Sequence, residues 1–208
     1  MKTLKKDMLV NPYTQAIFLK SAARVDQLPD DTGFEVAFAG RSNAGKSSAL
    51  NCLTSNRQLA RTSKTPGRTQ LINLFTVKDA EHRLVDLPGY GYAKVALQVK
   101  VDWQKNLARY LEVRRSLRGL VLLMDIRHPL KELDQMMTDW ALNRELSVHI
   151  LLTKCDKLSR SQVQNTVIQV RKHYELLPSD ALSVQAFSST KKQGVDELVR
   201  TLNQWFEW

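Results

Sequence analysis

The chain is short of thiols, of long apolar stretches and of acid. Cys52 and Cys155 are the only cysteines among 208 residues, and they stand far apart with no CxxC spacing. That argues against a disulfide framework and a thiolate zinc site, and it predicts a reducing compartment. Nowhere do eighteen apolar residues run together, so no stretch is long enough for a membrane-crossing helix. The opening MKTLKKDMLV begins basic but has neither the apolar core nor the small-residue cleavage site of a secretory leader, which predicts a cytoplasmic protein with no membrane partner. Internal repeats and low-complexity tracts are also missing. Acidic residues number 21 against 31 basic ones, a net charge of +10. A surplus of that size favours polyanions through counterion release and points to nucleic acid, or a particle containing it. The plainer alternative is that the charge balances a bound nucleotide and keeps the protein soluble.

What is present suffices for one domain. The 43% apolar and 25% charged fractions are those of an ordinary globule. A chain of this length buries roughly 70% of its surface on folding and needs no staples. A monomer is the default expectation.

The most informative stretch is Gly40 to Ser48, GRSNAGKSS, which fits the phosphate-binding pattern GxxxxGK[ST] at Gly40, Gly45, Lys46 and Ser47. Upstream, Phe34 to Ala39 is an apolar run suited to a buried parallel strand; downstream, Ser47 to Leu53 is compatible with a helix. Strand, glycine turn and helix together predict an anion nest in which successive backbone N–H groups from Asn43 to Ser48 surround phosphate, with Arg41, Ser42 and Ala44 also among the nucleotide-binding residues. Lys46 would reach the β- and γ-phosphates, and the Ser47 hydroxyl would ligate Mg²⁺.

The rest of the chain alternates. Ala16 to Ala23 is able to pair as a strand, Leu71 to Val77 reads as a strand, Asp79 to His82 as a hairpin turn, and Arg83 to Val85 as the returning strand. Val101 to Arg115 is an amphipathic helix with a basic end, Leu117 to Met124 a buried strand, and Leu133 to Asn143 a helix with Met136, Met137, Trp140 and Ala141 on its core face. Val148 to Leu152 is another buried strand. A helix capped by Ser159 follows, with Val163, Val167 and Val170 on one face, then the strand Leu182 to Ala186 and a closing helix from Val195 to Phe206. The order predicts a single α/β domain, a mostly parallel sheet of six or seven strands with helices on both faces and ligands at the strands' carboxyl ends. Residues 1–33 read as an extension packed on the nucleotide-binding domain 34–208. Thr54 to Gly67 lacks the periodicity of a packed element and reads as a long, mobile, functional loop.

Further motifs fall at predicted strand exits. Asp86-Leu87-Pro88-Gly89 is a DxxG, in which Asp86 holds a Mg²⁺-bound water and Gly89 lends its N–H to a γ-phosphate. Thr153-Lys154-Cys155-Asp156 matches the [NT]KxD pattern. A carboxylate at Asp156 accepts two hydrogen bonds from guanine, a donor pair that adenine lacks, while the Lys154 stem lies along the base. Phe187-Ser188-Ser189, after the last strand, would offer backbone and hydroxyl groups to the guanine O6. Thr62, Thr65 and Thr69 all lie in the segment between phosphate loop and DxxG, and each would serve as a threonine that senses the γ-phosphate.

Taken together these motifs resemble the TRAFAC class of GTP-binding proteins and, more narrowly, the EngB (YihA/YsxC) family of bacterial ribosome-assembly GTPases. The closer resemblance is carried by GRSNAGKSSALN (40–51), KTPGRTQLIN (64–73), DLPGYGYAKV (86–95), DIRHPLKELD (125–134) and TKCDKL (153–158), and it spans the chain from Phe18 to the last helix. It implies a single Ras-like P-loop GTPase domain that binds GTP and GDP with Mg²⁺. It also implies a partner in the large ribosomal subunit precursor, with its rRNA and ribosomal proteins, and a link to cell division and septation. It selects Thr69 as the third Mg²⁺-linked residue beside Ser47 and Asp86, and lays Gly67, Arg68, Thr69, Gln70 and Leu71 over the nucleotide. Lys46, Thr69 and Gly89 are then the residues that act on the γ-phosphate.

Many GTPases orient the attacking water with a glutamine after the DxxG glycine. Here that position is Tyr90, which predicts slow intrinsic hydrolysis raised by a partner or a cation. Asn43 is the residue type with which related GTPases hold K⁺ against the phosphates; its plainer role is to tolerate an unusual backbone angle. Basic residues gather beside the two switch segments: Arg57, Arg61, Lys64 and Arg68, then Lys94, Lys100, Lys105, Arg109, Arg114 and Arg115. Two rival readings are an ATP-dependent P-loop enzyme and an RNA-binding protein with a vestigial nucleotide site. Substitution of Asp156 tests the first, substitution of Lys46 the second.

Overall fold

The computed structural model describes residues 10–60, 71–91, 97–176 and 181–208, with side chains left out at 97–104. Seven strands form one sheet in the order β1-β3-β4-β2-β5-β6-β7. They are β1 (Ile17–Ala22), β2 (Phe34–Gly40), β3 (Ile72–Val77), β4 (Asp79–Asp86), β5 (Leu117–Asp125), β6 (Ser147–Thr153) and β7 (Leu182–Ala186). β4, β2, β5, β6 and β7 run parallel, while β1 and β3 pair antiparallel at one edge.

Period-two alternation in β2 explains how the sheet is covered. Val36 and Phe38 face α1 (Lys46–Leu53) and α5 (Val195–Trp205), in a core with Leu50, Leu53, Leu198, Leu202 and Phe206. Ala37 and Ala39 face the opposite layer, in a core with Leu107, Tyr110 and Leu111 of α2 (Leu97–Val113), Met137 and Ala141 of α3 (Glu132–Leu142), and Val170 of α4 (Arg160–His173). α4 begins where the cap residue predicts. The Ser159 hydroxyl accepts from Gln162 N, and the Gln162 side chain returns a bond to the Ser159 amide, which satisfies two N–H groups the helix cannot.

Four expectations change. The β3–β4 turn centres on Lys78, in the left-handed region at φ 63°, and Asp79 already belongs to β4. The Asp79 carboxylate accepts from the Glu81 and His82 amides, so what reads as turn chemistry lies inside the strand. α2 starts at Leu97 instead of Val101. On α3 Met137 and Ala141 are buried and half-buried Trp140 packs against the same core, as expected, but Asp134 and Thr138 are buried as well and Met136 is only half-buried. The predicted long loop is tied down over its first part, because the Asn51 side chain donates to Arg57 O and Ala60 O and accepts from Ala60 N. Its remainder, 61–67, lies outside the described residues.

Candidate functional site

Because β2, β4, β5, β6 and β7 are parallel, their carboxyl ends share one edge of the sheet, and the loops that leave them meet there. The phosphate loop leaves β2 at Gly40, where a Cβ would sit 2.9 Å from Leu123 O, so the adjacent strand leaves no room for a side chain. It closes at Gly45, whose φ of 95° forms the left-handed cap of α1. The intervening turn is held by Ala44 N to Arg41 O (2.9 Å) and by the Thr153 hydroxyl, which donates to Ala44 O (2.5 Å).

A cleft of about 320 Å³ lies over the loop, lined by Arg41, Ser42, Asn43, Gly45, Lys46, Ser47, Ser48, Gly89 and Lys154. At its foot Lys46 Nζ is in direct contact with Asp86 Oδ1, both side chains being nearly buried. Ser47 and Asp86 supply hydroxyl and carboxylate oxygens, the hard donors that suit Mg²⁺. Asn43 has a φ of 65°, the unusual backbone angle that its plainer role predicts.

The loop that leaves β6 is braced against the glycine-rich loop that leaves β2. Lys154 Nζ donates to Asn43 O (2.7 Å) and to Asp125 Oδ2 (2.8 Å). Arg127 grips both oxygens of the same Asp125 (2.9 and 2.6 Å), and this pairing, reinforced by Lys154, keeps the Asp125 carboxyl well below the usual carboxylate range. Asp156 is held below its ordinary value chiefly by the Ser188 hydroxyl, which donates to Oδ1 at 2.6 Å. Asp156 is therefore ionised at neutral pH, the form able to accept two donors from a base.

Several of the sequence-predicted residues contribute backbone to this arrangement. Leu87 and Phe187 turn their side chains into the two cores, and Cys155 is buried with its amide donating to Phe187 O (3.2 Å). Ser188 is fully buried and spends its hydroxyl on Asp156 instead of presenting it to a ligand, while Ser189 O faces the Cys52 thiol at 3.6 Å. Pro88 and Gly89 are half-buried at the cleft, and Leu71 is half-buried just before β3. Gly67, Arg68, Thr69 and Gln70 lie outside the described residues, as do Arg61, Thr62, Lys64, Thr65 and Lys94.

At Tyr90, where many GTPases have a glutamine, the ring is buried and its hydroxyl donates to Asp134 Oδ1 on α3 (2.7 Å). One sequence expectation needs correction. Arg114 does not belong to a basic surface. It is 6% exposed and pairs with the buried Glu35. The sequence reading also misses Asp125 and Arg127 as supports of Lys154; their signal was their position at the exit of a buried strand. Among the described residues no cluster of three or more metal-binding side chains is present, and no helix is long and apolar enough to cross a membrane.

Comparison with known proteins gives a consistent answer. Residues 35–154 match the family described as 50S ribosome-binding GTPase. A protein of Tolumonas auensis described as "Probable GTP-binding protein EngB" is 58% identical over 94% of this chain and 91% of its own length. A crystal structure of a probable GTP-binding protein engB superposes with a TM-score of 0.69 at 20% identity, over 83% of this chain and 98% of that one. The fold also matches Era, solved in complex with MgGDPNP and nucleotides of 16S ribosomal RNA, with a TM-score of 0.64 at 20% identity over 84% of this chain and 57% of Era.

Proposed function

The chain belongs to the EngB family of GTP-binding proteins, and from that premise we propose that it is a slow GTPase whose nucleotide state switches its hold on a precursor of the large ribosomal subunit, a step on which cell division and septation depend. The observation that carries this reading is the convergence of the β2, β4 and β6 exits on one cleft lined by Lys46, Ser47, Gly89 and Lys154, with Asp156 two residues beyond Lys154 and held by Ser188 at the exit of β7. In this reading residues 34–208 are the GTP-binding domain and 1–33 an extension, whose described part, 10–33, packs on it through Tyr13, Ala16, Val25 and Leu28.

Ser47, Asp86 through water, and Thr69 would hold Mg²⁺, which when bound would supply charge neutralisation at the phosphates. Lys46 orients the phosphates, Gly89 senses the third of them, and Asp156 selects guanine. Slow hydrolysis is supported by Tyr90, whose phenol is spent on Asp134 and leaves no side chain at that position to orient water. K⁺ beside Asn43 is one means by which turnover is raised.

The ribosomal partner is supported by the matching family's description, by the +10 charge and by the exposed Arg57, Lys105, Arg109 and Arg115. Co-sedimentation with ribosomal particles tests it. More protein should pellet with large-subunit particles in a non-hydrolysable GTP analogue than in GDP, and equal pelleting in both would refute the switch.

A further inference from the structure

Tyr90 directly follows the glycine assigned to the γ-phosphate, and it is held from three directions. Its amide donates to Gly40 O (3.3 Å) and its carbonyl accepts from Ser42 N (2.7 Å). The bridge between Arg41 and Tyr90 thereby carries the β2–β4 pairing past the ends of both strands and into the phosphate loop. In the third direction the phenol donates to Asp134 Oδ1 (2.7 Å), and both residues are 1% exposed. Asp134 sits in the first turn of α3, which Met137 and Ala141 seat in the core, so the partner of the phenol is fixed.

A buried carboxylate costs stability unless it is hydrogen-bonded, and an apolar pair of the same shape would hold α3 to the sheet at least as well. An apolar pair would not, however, fix one rotamer of residue 90 and one position of its backbone. We propose that Tyr90 and Asp134 form a positioning pair that holds Gly89 in place beside the phosphate loop and thereby sets the affinity for GTP relative to that for GDP.

This rests on the nucleotide reading given above. Gly89 lines the same cleft as Lys46 and Ser47 and is one peptide bond from Tyr90. With its neighbour anchored, the Gly89 N–H need not be ordered when a γ-phosphate arrives, so binding keeps the free energy that ordering would consume. Releasing the anchor restores that cost for about one residue of backbone, roughly a five- to thirtyfold loss. GDP has no γ-phosphate to meet Gly89 and is spared.

The test measures dissociation constants for GDP and for a non-hydrolysable GTP analogue, with Mg²⁺, in the wild type and in Tyr90→Phe, Asp134→Leu and Asp134→Asn. Tyr90→Phe and Asp134→Leu should weaken the analogue five- to thirtyfold relative to GDP. Asp134→Asn, whose amide oxygen still accepts the phenol, should keep most of the wild-type ratio. An unchanged ratio in the first two variants, or equal weakening of both nucleotides, would reduce the pair to packing and overturn the proposal. Hydrogen exchange on the wild type decides the matter if the variants do not fold. The Tyr90 amide should be protected in both nucleotide states, and exchange as fast as an open loop would overturn the anchor. A wild type that binds neither nucleotide would instead overturn the reading of the cleft.

Discussion

Replacing Glu35 should damage stability severely while leaving nucleotide binding intact. Glu35 is wholly buried at the amino end of β2, and its carboxylate accepts four hydrogen bonds. Arg83 Nε (3.0 Å) and one terminal nitrogen of Arg114 (2.7 Å) reach Oε1, while Arg114 Nε (3.0 Å) and the Tyr110 hydroxyl (3.0 Å) reach Oε2. Both guanidinium groups are nearly buried, so Glu35→Gln leaves two cations without their shared anion and turns an amide N–H₂ toward donors. Breaking a buried pair in this way costs about 3–5 kcal/mol, a large part of the roughly 5–15 kcal/mol that holds a domain together. For a domain of this size that is a fall in Tm of about 6–20 °C. The affinity for GDP should be unchanged in the folded fraction, because Glu35 and Gly40 are separated by about 16 Å of strand, at roughly 3.3 Å per residue. Urea unfolding followed by circular dichroism, with GDP titration of the same preparation, measures both. A loss below about 1 kcal/mol would mean that the cluster is not the anchor its geometry indicates. A fall in GDP affinity with stability intact would mean that the two ends of the sheet are coupled.

Two further outcomes are expected. Asp156→Asn should move base preference from guanine toward xanthine nucleotides and weaken GTP roughly ten- to a hundredfold, read by competition against a fluorescent guanine nucleotide; unaltered base preference would remove Asp156 from the base site. His149 lies between Ser183 Oγ (2.7 Å) and Gln185 Oε1 (2.8 Å), and burial pushes its pKa down from 6.5 to about 4. The unfolded chain therefore takes up a proton that the folded chain refuses between those values. Stability should fall as pH drops through that window, by about 3 kcal/mol at its lower end, and stay flat above it. Urea midpoints for the wild type and His149→Gln from pH 7 down to 4.5 check this, and parallel curves would assign the acid loss to other groups.

Much of the fold is legible in the sequence for local reasons. The phosphate loop is recognisable because a left-handed turn, a lysine and a hydroxyl must follow one another within a few residues, and Gly45, Lys46 and Ser47 do. Ser159 is readable as a cap because its partner, Gln162, is three residues away. The β3–β4 turn misleads because Asp79 folds its carboxylate onto amides within β4, so a turn-forming residue marks the strand's start. Arg114 misleads because charge in a helical pattern reads as surface, and its partner Glu35 is 79 positions upstream.

The sequence by itself determines the motifs of a GTP-binding protein, GxxxxGKS, DxxG and TKxD, and that apolar runs will carry them on parallel strands. Those properties depend on neighbours within a few residues, where backbone angle and spacing settle the matter. Only the tertiary structure decides which of the remaining polar groups are tools and which are supports. Ser188 becomes the holder of Asp156, Asp125 the brace of Lys154, and Asp134 the partner of Tyr90 across 44 positions. The physical reason is that a buried polar group must find its partner wherever the chain has brought one, and that is set by the packing of the sheet and its helices.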